Sequence, residues 1–176
     1  MVSTALLLVL AGIAGITDTW HHKIYNWTTY PGILLAVAVS HFEPGGIDLE
    51  ESLKGFLLCG VVMLVSFVFF SVGGGDVKLM AMLGAFLGID RGLEVLLWTF
   101  VLGGLLSLIT LIWRFGLANL LSRGLRHVWW MLRLGQPVPL ADDERLALQP
   151  PLYLARTAFV AVLIVKFQLQ NLEFLR

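Results

Sequence analysis

Long apolar stretches follow one another along most of this chain, and they constrain its fold more than any other feature. A helix needs roughly 20 apolar residues to cross the hydrocarbon core of a membrane, and the third and fifth stretches reach that length while the others are shorter. The pattern predicts an all-α, polytopic membrane helix bundle with about six transmembrane helices. The stretches lie at about Val2–Ile16, Thr28–Phe42, Leu53–Val72, Val77–Ile89, Leu93–Trp113 and Leu152–Phe167.

The composition excludes the common soluble classes. Of the 176 residues, 58% are hydrophobic and 14% are charged, and the mean hydropathy is +0.86. A soluble chain of this size would lack the polar residues needed to cover its surface. The formal net charge of zero gives no bulk positive charge for binding nucleic acid. We therefore expect one integral membrane domain over residues 1–176, in contact with lipid and not with nucleic acid.

The residues that commonly hold metals or form disulfides are sparse. Cys59 is the single cysteine, so the chain has neither an intrachain disulfide nor a CxxC site. His22 and Asp18 are four residues apart and would share a helix face, with His21 beside them. A zinc site needs at least three protein ligands, and no third ligand lies nearby. The sequence therefore predicts no metal and no other cofactor.

The distribution of charged residues predicts how the bundle is oriented. Segments 42–53 and 89–94 contain Arg91 as their one basic residue, together with six acidic residues. Segments 17–29, 72–78 and 114–149 contain seven basic residues. Lys and Arg favour the cytoplasmic side, so the second set is predicted to be cytoplasmic. The seven are Lys23, Lys78, Arg114, Arg123, Arg126, Arg133 and Arg145.

The segment at about 114–149 differs from the apolar stretches. Polar and basic residues recur at helical spacing in its first half, with leucines and tryptophans between them. This pattern is typical of an amphipathic helix that lies on the inner leaflet, with its tryptophans at the depth of the headgroups. Such a helix serves either as a surface anchor or as a docking surface for a membrane-bound substrate.

Two acidic residues, Asp18 and Asp76, lie at the ends of apolar stretches on the same predicted side. Each is either a solvated carboxylate at a helix end, with Asp76 as a helix cap, or a functional group facing a cavity. Gly73–Gly75 precede Asp76, and glycines permit unusual backbone conformations and close approach of another chain. Two carboxylates a few ångströms apart share a proton, so one can act as a base on water while the other acts as an acid.

Residues 73–79 read Gly-Gly-Gly-Asp-Val-Lys-Leu, which resembles the GxGDxKL motif of the type IV prepilin peptidases. The first motif of that family, an aspartate followed by Ile-Pro-Asn, is similar to Asp18 followed by Ile24-Tyr25-Asn26, with Tyr25 in place of proline. A third and weaker similarity is Pro-Leu-Tyr-Leu-Ala at 151–155, one residue out of register with the Pro-Tyr-x-x-Ala of the family.

The resemblance implies an aspartic endopeptidase whose catalytic pair is Asp18 and Asp76. The implied substrate is a prepilin or pseudopilin precursor, whose basic leader is removed at the cytoplasmic face of the bacterial inner membrane. The implied role is pilus biogenesis, with the pilus assembly machinery as a further partner. Large family members also carry a CxxC-containing domain and methylate the new N-terminus. With its single cysteine and no such domain, this chain resembles the short Flp/Tad-type form.

Four further motif residues are assigned supporting roles. Gly73 and Gly75 would let an extended substrate strand approach the backbone. Lys78 is either an anchor of the membrane topology or a long-range electrostatic influence on the aspartates. Asn26 either holds the loop after the first stretch by hydrogen bonds or is an ordinary turn residue.

Three other interpretations remain open at this point. Paired acids and glycine-interrupted spans also occur in small proton- or ion-coupled transporters. A presenilin-like intramembrane protease shares a GxGD motif, although its acids would lie deeper within the spans. An inactive scaffold of a pilus assembly machine is the third.

Overall fold

A computed structural model of the chain describes residues 2–21, 23–43, 46–70, 72–116 and 154–174, together with residues 122, 125, 129, 132 and 133. These ranges contain no strand, and the all-α prediction is confirmed for them. The helices are α1 (Val2–His21), α2 (Asn26–Phe42), α3 (Leu49–Phe70), α4 (Gly74–Phe115) and α5 (Leu154–Phe174).

Three of these helices are long and apolar enough to cross a membrane. They are α1, α3 over Leu49–Phe69, and α4 over Gly74–Arg114. The 17 residues of α2 fall short of the roughly 20 that a span needs. Among the described residues, length and composition therefore support three membrane spans, and the predicted count of about six is not confirmed.

Helix α4 is interrupted at Gly88, where φ is 75° and ψ is −170°. Its 42 residues would extend about 63 Å as one straight helix, twice the thickness of a bilayer core. A Cβ built on Gly92 would lie only 3.2 Å from the Gly84 Cα, although eight residues of straight helix span about 12 Å. The chain therefore reverses direction at Gly88, and segments 74–87 and 89–102 form a helical hairpin at this point.

Small residues allow α3 to pack tightly against this hairpin. A Cβ built on Gly84 would contact the Gly55 carbonyl oxygen and lie 2.9 Å from the Cys59 Sγ. The Ser52 hydroxyl donates a hydrogen bond to the Ala85 carbonyl oxygen (2.7 Å). Close backbone approach at small residues, with a hydroxyl bond across the interface, is the usual way that helices associate in membranes.

Helix α1 lies between two neighbouring helices in the core of the bundle. Helix α1 packs against α2 and α5, and α2 packs against α3. Gly12 and Gly15 of α1 lie close to Phe159 of α5, and the Gly15 Cα also faces the Ala155 backbone. Most of the buried side chains are apolar, and Asp18 is the one charged side chain among the buried residues that the structure describes.

The chain divides into two compact units, residues 1–102 with 153–176 and residues 103–152. The predicted single domain therefore stays a prediction. In the second unit, the Arg133 guanidinium lies 4.9 Å from the centroid of the Trp129 ring. The predicted amphipathic helix at about 114–149 falls largely outside the described residues. All the candidate site residues belong to the first unit.

Candidate active site

Asp18 lies in the last turn of α1, with only 8% of its surface exposed. The apolar stretch was predicted to end at about Ile16, but the helix continues to His21. Two threonine hydroxyls bond to backbone carbonyls of the preceding turn: Thr17 to Ala14 (3.1 Å) and Thr19 to Gly15 (2.7 Å). Both hydroxyls thus find their hydrogen-bond partners within α1. The helix therefore continues through these polar residues, and Asp18 lies on it in a buried position.

Asp76 lies in the first turn of α4 and is half-buried. Its backbone N–H donates to the Gly73 carbonyl oxygen (3.0 Å), and its carboxylate accepts a hydrogen bond from the Gly73 backbone. An acidic residue at the third helical position commonly reaches back to the residue that precedes the helix in this way. Asp76 is therefore a helix-capping residue, and its carboxylate is held in a fixed position by that bond.

The structure brings the two aspartates together. The Asp76 carboxylate lies within electrostatic range of Asp18. A Cβ built on Gly75 would lie 3.0 Å from the Ile24 Cβ, so the loop after α1 packs directly on the first turn of α4. This contact joins two sequence motifs that are more than fifty residues apart. Two carboxylates that approach within a few ångströms of each other can share a proton and bind one water molecule between them.

The unusual backbone conformation expected for the glycine triplet is wrong, while the approach of a substrate strand to Gly73 and Gly75 stays a prediction. Gly74 and Gly75 are helical, and among the described glycines only Gly88 and Gly116 have a positive φ. The triplet therefore adopts no unusual backbone conformation. Its glycines act through close approach instead: a Cβ on Gly73 would lie 2.9 Å from the Asp76 Oδ2, and one on Gly75 would press on Ile24. A side chain at either position would displace the groups that place Asp76.

Lys78 connects the two motifs, a role that neither interpretation of this residue included. Its Nζ donates a hydrogen bond to the Asn26 Oδ1 (2.9 Å) and lies 5.1 Å from the centroid of the Tyr30 ring. Asn26 is the first residue of α2. These three residues, here called the Lys78 clasp, tie the beginning of α4 to the beginning of α2. The sequence signal was present, since Asn26 and Lys78 each belong to one of the two motifs.

The clasp predicts energetic coupling between Lys78 and Asn26. Lys78→Met and Asn26→Leu each remove one partner, and a double-mutant cycle is expected to give a coupling free energy of about 0.5–1.5 kcal/mol. The measurement is the free energy of unfolding of the four proteins in detergent micelles. If Lys78 acts only as a topology anchor, the two substitutions are additive and the coupling is zero.

Tyr25 occupies the position of the family's proline, and its backbone suits proline. It precedes α2 with φ −81° and ψ 138°, which is near the φ of about −65° that proline requires. Its ring contacts His21, at 5.9 Å between ring centroids. The change from proline to tyrosine therefore leaves the path of this loop intact.

Replacing Tyr25 tests whether the backbone of this loop suits proline. Tyr25→Pro is expected to change the free energy of unfolding by less than about 1 kcal/mol, because the native φ is already compatible. Tyr25→Gly is the matched control, since it also removes the ring but loosens the backbone, and it is expected to be the less stable of the two. A proline variant clearly less stable than the glycine variant, in thermal unfolding, would contradict this account of the loop.

The remaining sequence predictions fall partly outside the described residues. Of the third similarity, Leu154 and Ala155 begin α5, while residues 151–153 are not described. His22 also lies outside the described residues. Within the described ranges, no three His, Cys, Asp or Glu residues are grouped so that they could hold a metal ion.

Comparison with known proteins identifies the family. A model of the type IV leader peptidase family matches residues 5–108, more than half of the chain. The match includes α1, α2, α3 and the hairpin at Gly88, and hence Asp18, Asp76 and the Lys78 clasp. No curated protein and no solved structure matches the chain. With its long apolar helices, the chain is a membrane peptidase that belongs to the type IV leader peptidase family.

Proposed function

We propose that this protein is an aspartic endopeptidase that removes the leader from prepilin or pseudopilin precursors during pilus biogenesis. The observation that supports this most strongly is the meeting of Asp18 and Asp76 in a chain of the leader peptidase family. The packing of Gly75 on Ile24 and the Lys78 clasp support it further, because both hold the two motifs against each other.

The proposed reaction is direct attack of water on the scissile peptide bond. A water molecule lies between Asp18 and Asp76, and the ionised carboxylate takes one of its protons as the oxygen adds to the carbonyl carbon. The protonated carboxyl polarises the carbonyl oxygen, and a proton then passes to the leaving amine nitrogen. The bond between carbon and nitrogen breaks without a covalent intermediate on the protein.

We infer that the chain crosses the membrane six times. Because α4 reverses at Gly88, the described helices comprise six helical segments: α1, α2, α3, 74–87, 89–115 and α5. The short α2 would be accommodated by local thinning of the bilayer. The basic residues near the aspartates support a position of the proposed catalytic pair at the cytoplasmic face of the bacterial inner membrane.

The proposed substrate has a short basic leader on the cytoplasmic side of a single span, and cleavage follows a glycine at the end of that leader. This arrangement brings the scissile bond to the membrane face where Asp18 and Asp76 lie. The chain is proposed to be the short Flp/Tad-type form, which cleaves without N-methylation. The pilus assembly machinery is its proposed further partner.

Co-expression with a tagged Flp-type prepilin tests this function. The wild-type protein is expected to shorten the prepilin by the length of its leader, seen as a shift on a gel and confirmed by the mass of the product. An empty vector is the control. If several prepilins stay intact beside a correctly inserted wild-type protein, the peptidase function is wrong, and proton-coupled uptake by vesicles becomes the next activity to measure.

A further inference from the structure

A polar cavity lies at the other end of the bundle from the aspartates. Its volume is about 500 Å³, and α1, the loop after α2, α3, α4 and α5 all contribute to its lining. Thr4 lines it, fourteen residues before Asp18 on the same helix, which corresponds to about 21 Å along the axis of α1. The cavity therefore belongs to the opposite membrane face. The peptidase mechanism makes no use of it.

Two cationic side chains, those of Arg91 and Lys166, line this cavity. The Lys166 ammonium donates a hydrogen bond to the Thr4 hydroxyl (3.3 Å) and lies within electrostatic range of Arg91 and Glu43. Within the described ranges, neither Lys166 nor Arg91 has a carboxylate within ion-pair distance. Two neighbouring cations without a paired carboxylate repel each other, so an anion between them would be favourably bound.

Carboxylates line the other part of the cavity. Glu43 already accepts hydrogen bonds from the backbone N–H groups of Val2 (3.0 Å) and Ser3 (3.1 Å). Glu51 lies against the reversal of α4, where a Cβ on Gly88 would be only 2.8 Å from its Oε1. Asp90 follows two residues later and is exposed. Glu51 and Asp90 thus form an acidic wall that could receive a cation.

We propose that this cavity binds the headgroup of a phospholipid that carries both a phosphate and a primary ammonium, namely a phosphoethanolamine lipid. Arg91 and Lys166 bind the phosphate, and Glu51 and Asp90 accept hydrogen bonds from the ammonium. Phe86 and Leu87, which also line the cavity, contact the apolar part of the lipid. This proposal gives a specific ligand to Arg91, which is the one basic residue in the otherwise acidic segments 42–53 and 89–94.

The mixture of charges selects among lipid headgroups. A phosphocholine headgroup carries a quaternary ammonium, which has no N–H to donate to Glu51 or Asp90. A phosphoglycerol headgroup places neutral hydroxyls against the acidic wall and leaves both carboxylates without a counter-charge. Only a primary ammonium satisfies the acidic wall while the phosphate satisfies the two cations. The site is thus expected to prefer ethanolamine lipids over both alternatives.

Native mass spectrometry of the delipidated full-length protein tests this proposal without any need for peptidase activity. The protein is offered ethanolamine, choline and glycerol phospholipids with identical acyl chains, and it is expected to retain the ethanolamine lipid preferentially. Arg91→Gln with Lys166→Gln is expected to weaken that retention about tenfold or more. Lys54→Gln is the matched control, since this exposed lysine pairs with Glu50 outside the cavity, and it should bind like the wild type.

Further variants keep the test decisive. Arg91→Gln alone alters an exposed side chain, so it measures the phosphate contact even if the double variant does not fold. Glu51→Gln is expected to reduce the preference for ethanolamine over glycerol lipids while phosphate binding persists. Equal retention of all three lipids, or wild-type binding by Arg91→Gln, would overturn the proposal. Displacement of the lipid by an equal concentration of soluble phosphoethanolamine would show a small-molecule site instead and overturn the lipid assignment.

Discussion

Asp18→Asn and Asp76→Asn are each expected to slow leader cleavage by roughly 10²- to 10⁴-fold, which is the usual contribution of a positioned acid or base. Asparagine has nearly the same shape as aspartate, but it neither accepts a proton from water nor donates one to the leaving amine. In the proposed mechanism Asp18 and Asp76 act on a single water molecule, so the loss of either is expected to disable the other.

The double variant is therefore expected to be no slower than the slower single variant, since residues that act as a unit are not additive. Asp48→Asn is the matched control, because Asp48 is an exposed aspartate that precedes α3 and belongs neither to the candidate active site nor to the lining of the cavity at the opposite end of the bundle. Rates are measured with purified proteins in proteoliposomes, and gel filtration checks their folding. Full activity in either single variant would show that Asp18 and Asp76 are not a catalytic pair.

Gly84→Ala is expected to have the largest effect on stability, a loss of about 1–3 kcal/mol typical of an overpacked core. The added methyl group would lie 2.9 Å from the Cβ and Sγ of Cys59, and it would also contact the Gly55 carbonyl oxygen. Neither α3 nor α4 can move aside to make room for this methyl group without separating the two helices near Gly88. The same substitution at Gly104 is the control, because a Cβ there meets no atom within 4 Å.

Gly104→Ala is expected to leave the protein as stable as the wild type or up to about 1 kcal/mol more stable, since alanine is the better helix former. Thermal unfolding in detergent micelles compares the two variants under identical conditions. If both variants lose the same stability, close packing between α3 and α4 is not what requires glycine at residue 84.

The apolar stretches predicted the helices well but not all of their ends. The length of the apolar run placed α3 within a few residues, because the run is bounded by acidic residues before it and glycines after it. The end of α1 was predicted too early, since the polar residues of 17–21 continue the helix by bonding to their own backbone. The reversal at Gly88 was not predicted as a positive-φ turn, because it is one of 18 glycines and the sequence does not mark its φ.

The residues of the candidate site could be chosen from the sequence, but the contacts between them could not. Asp18, Asp76, Asn26 and Lys78 all came from motif spacing. The bond between Lys78 and Asn26 depends on how α2 and α4 pack, which short-range spacing does not encode. The same limit applies to the glycines: their small size was evident from the sequence, but the neighbour that requires it, Ile24 for Gly75, is visible only in the fold.

The cavity at the opposite face could not be predicted from the sequence, for a similar reason. Its cations, Arg91 and Lys166, are 75 residues apart along the chain, and its lining comes from every helix except α2 itself. The charge distribution along the sequence marks Arg91 only as the one basic residue of segments 42–53 and 89–94. Only the packing of α5 against α1 brings Lys166 to Thr4 and so into the same cavity.

Intact-mass spectrometry of an acid-quenched reaction tests the central claim most directly. Purified wild-type protein is mixed with a purified prepilin in water enriched in the heavy oxygen isotope. We expect a leader whose new carboxyl group carries one solvent oxygen, a matching mature pilin, and a peptidase of unchanged mass at every time point. An uncleaved prepilin, or a peptidase carrying the mass of the leader, would contradict direct attack of water at the pair formed by Asp18 and Asp76.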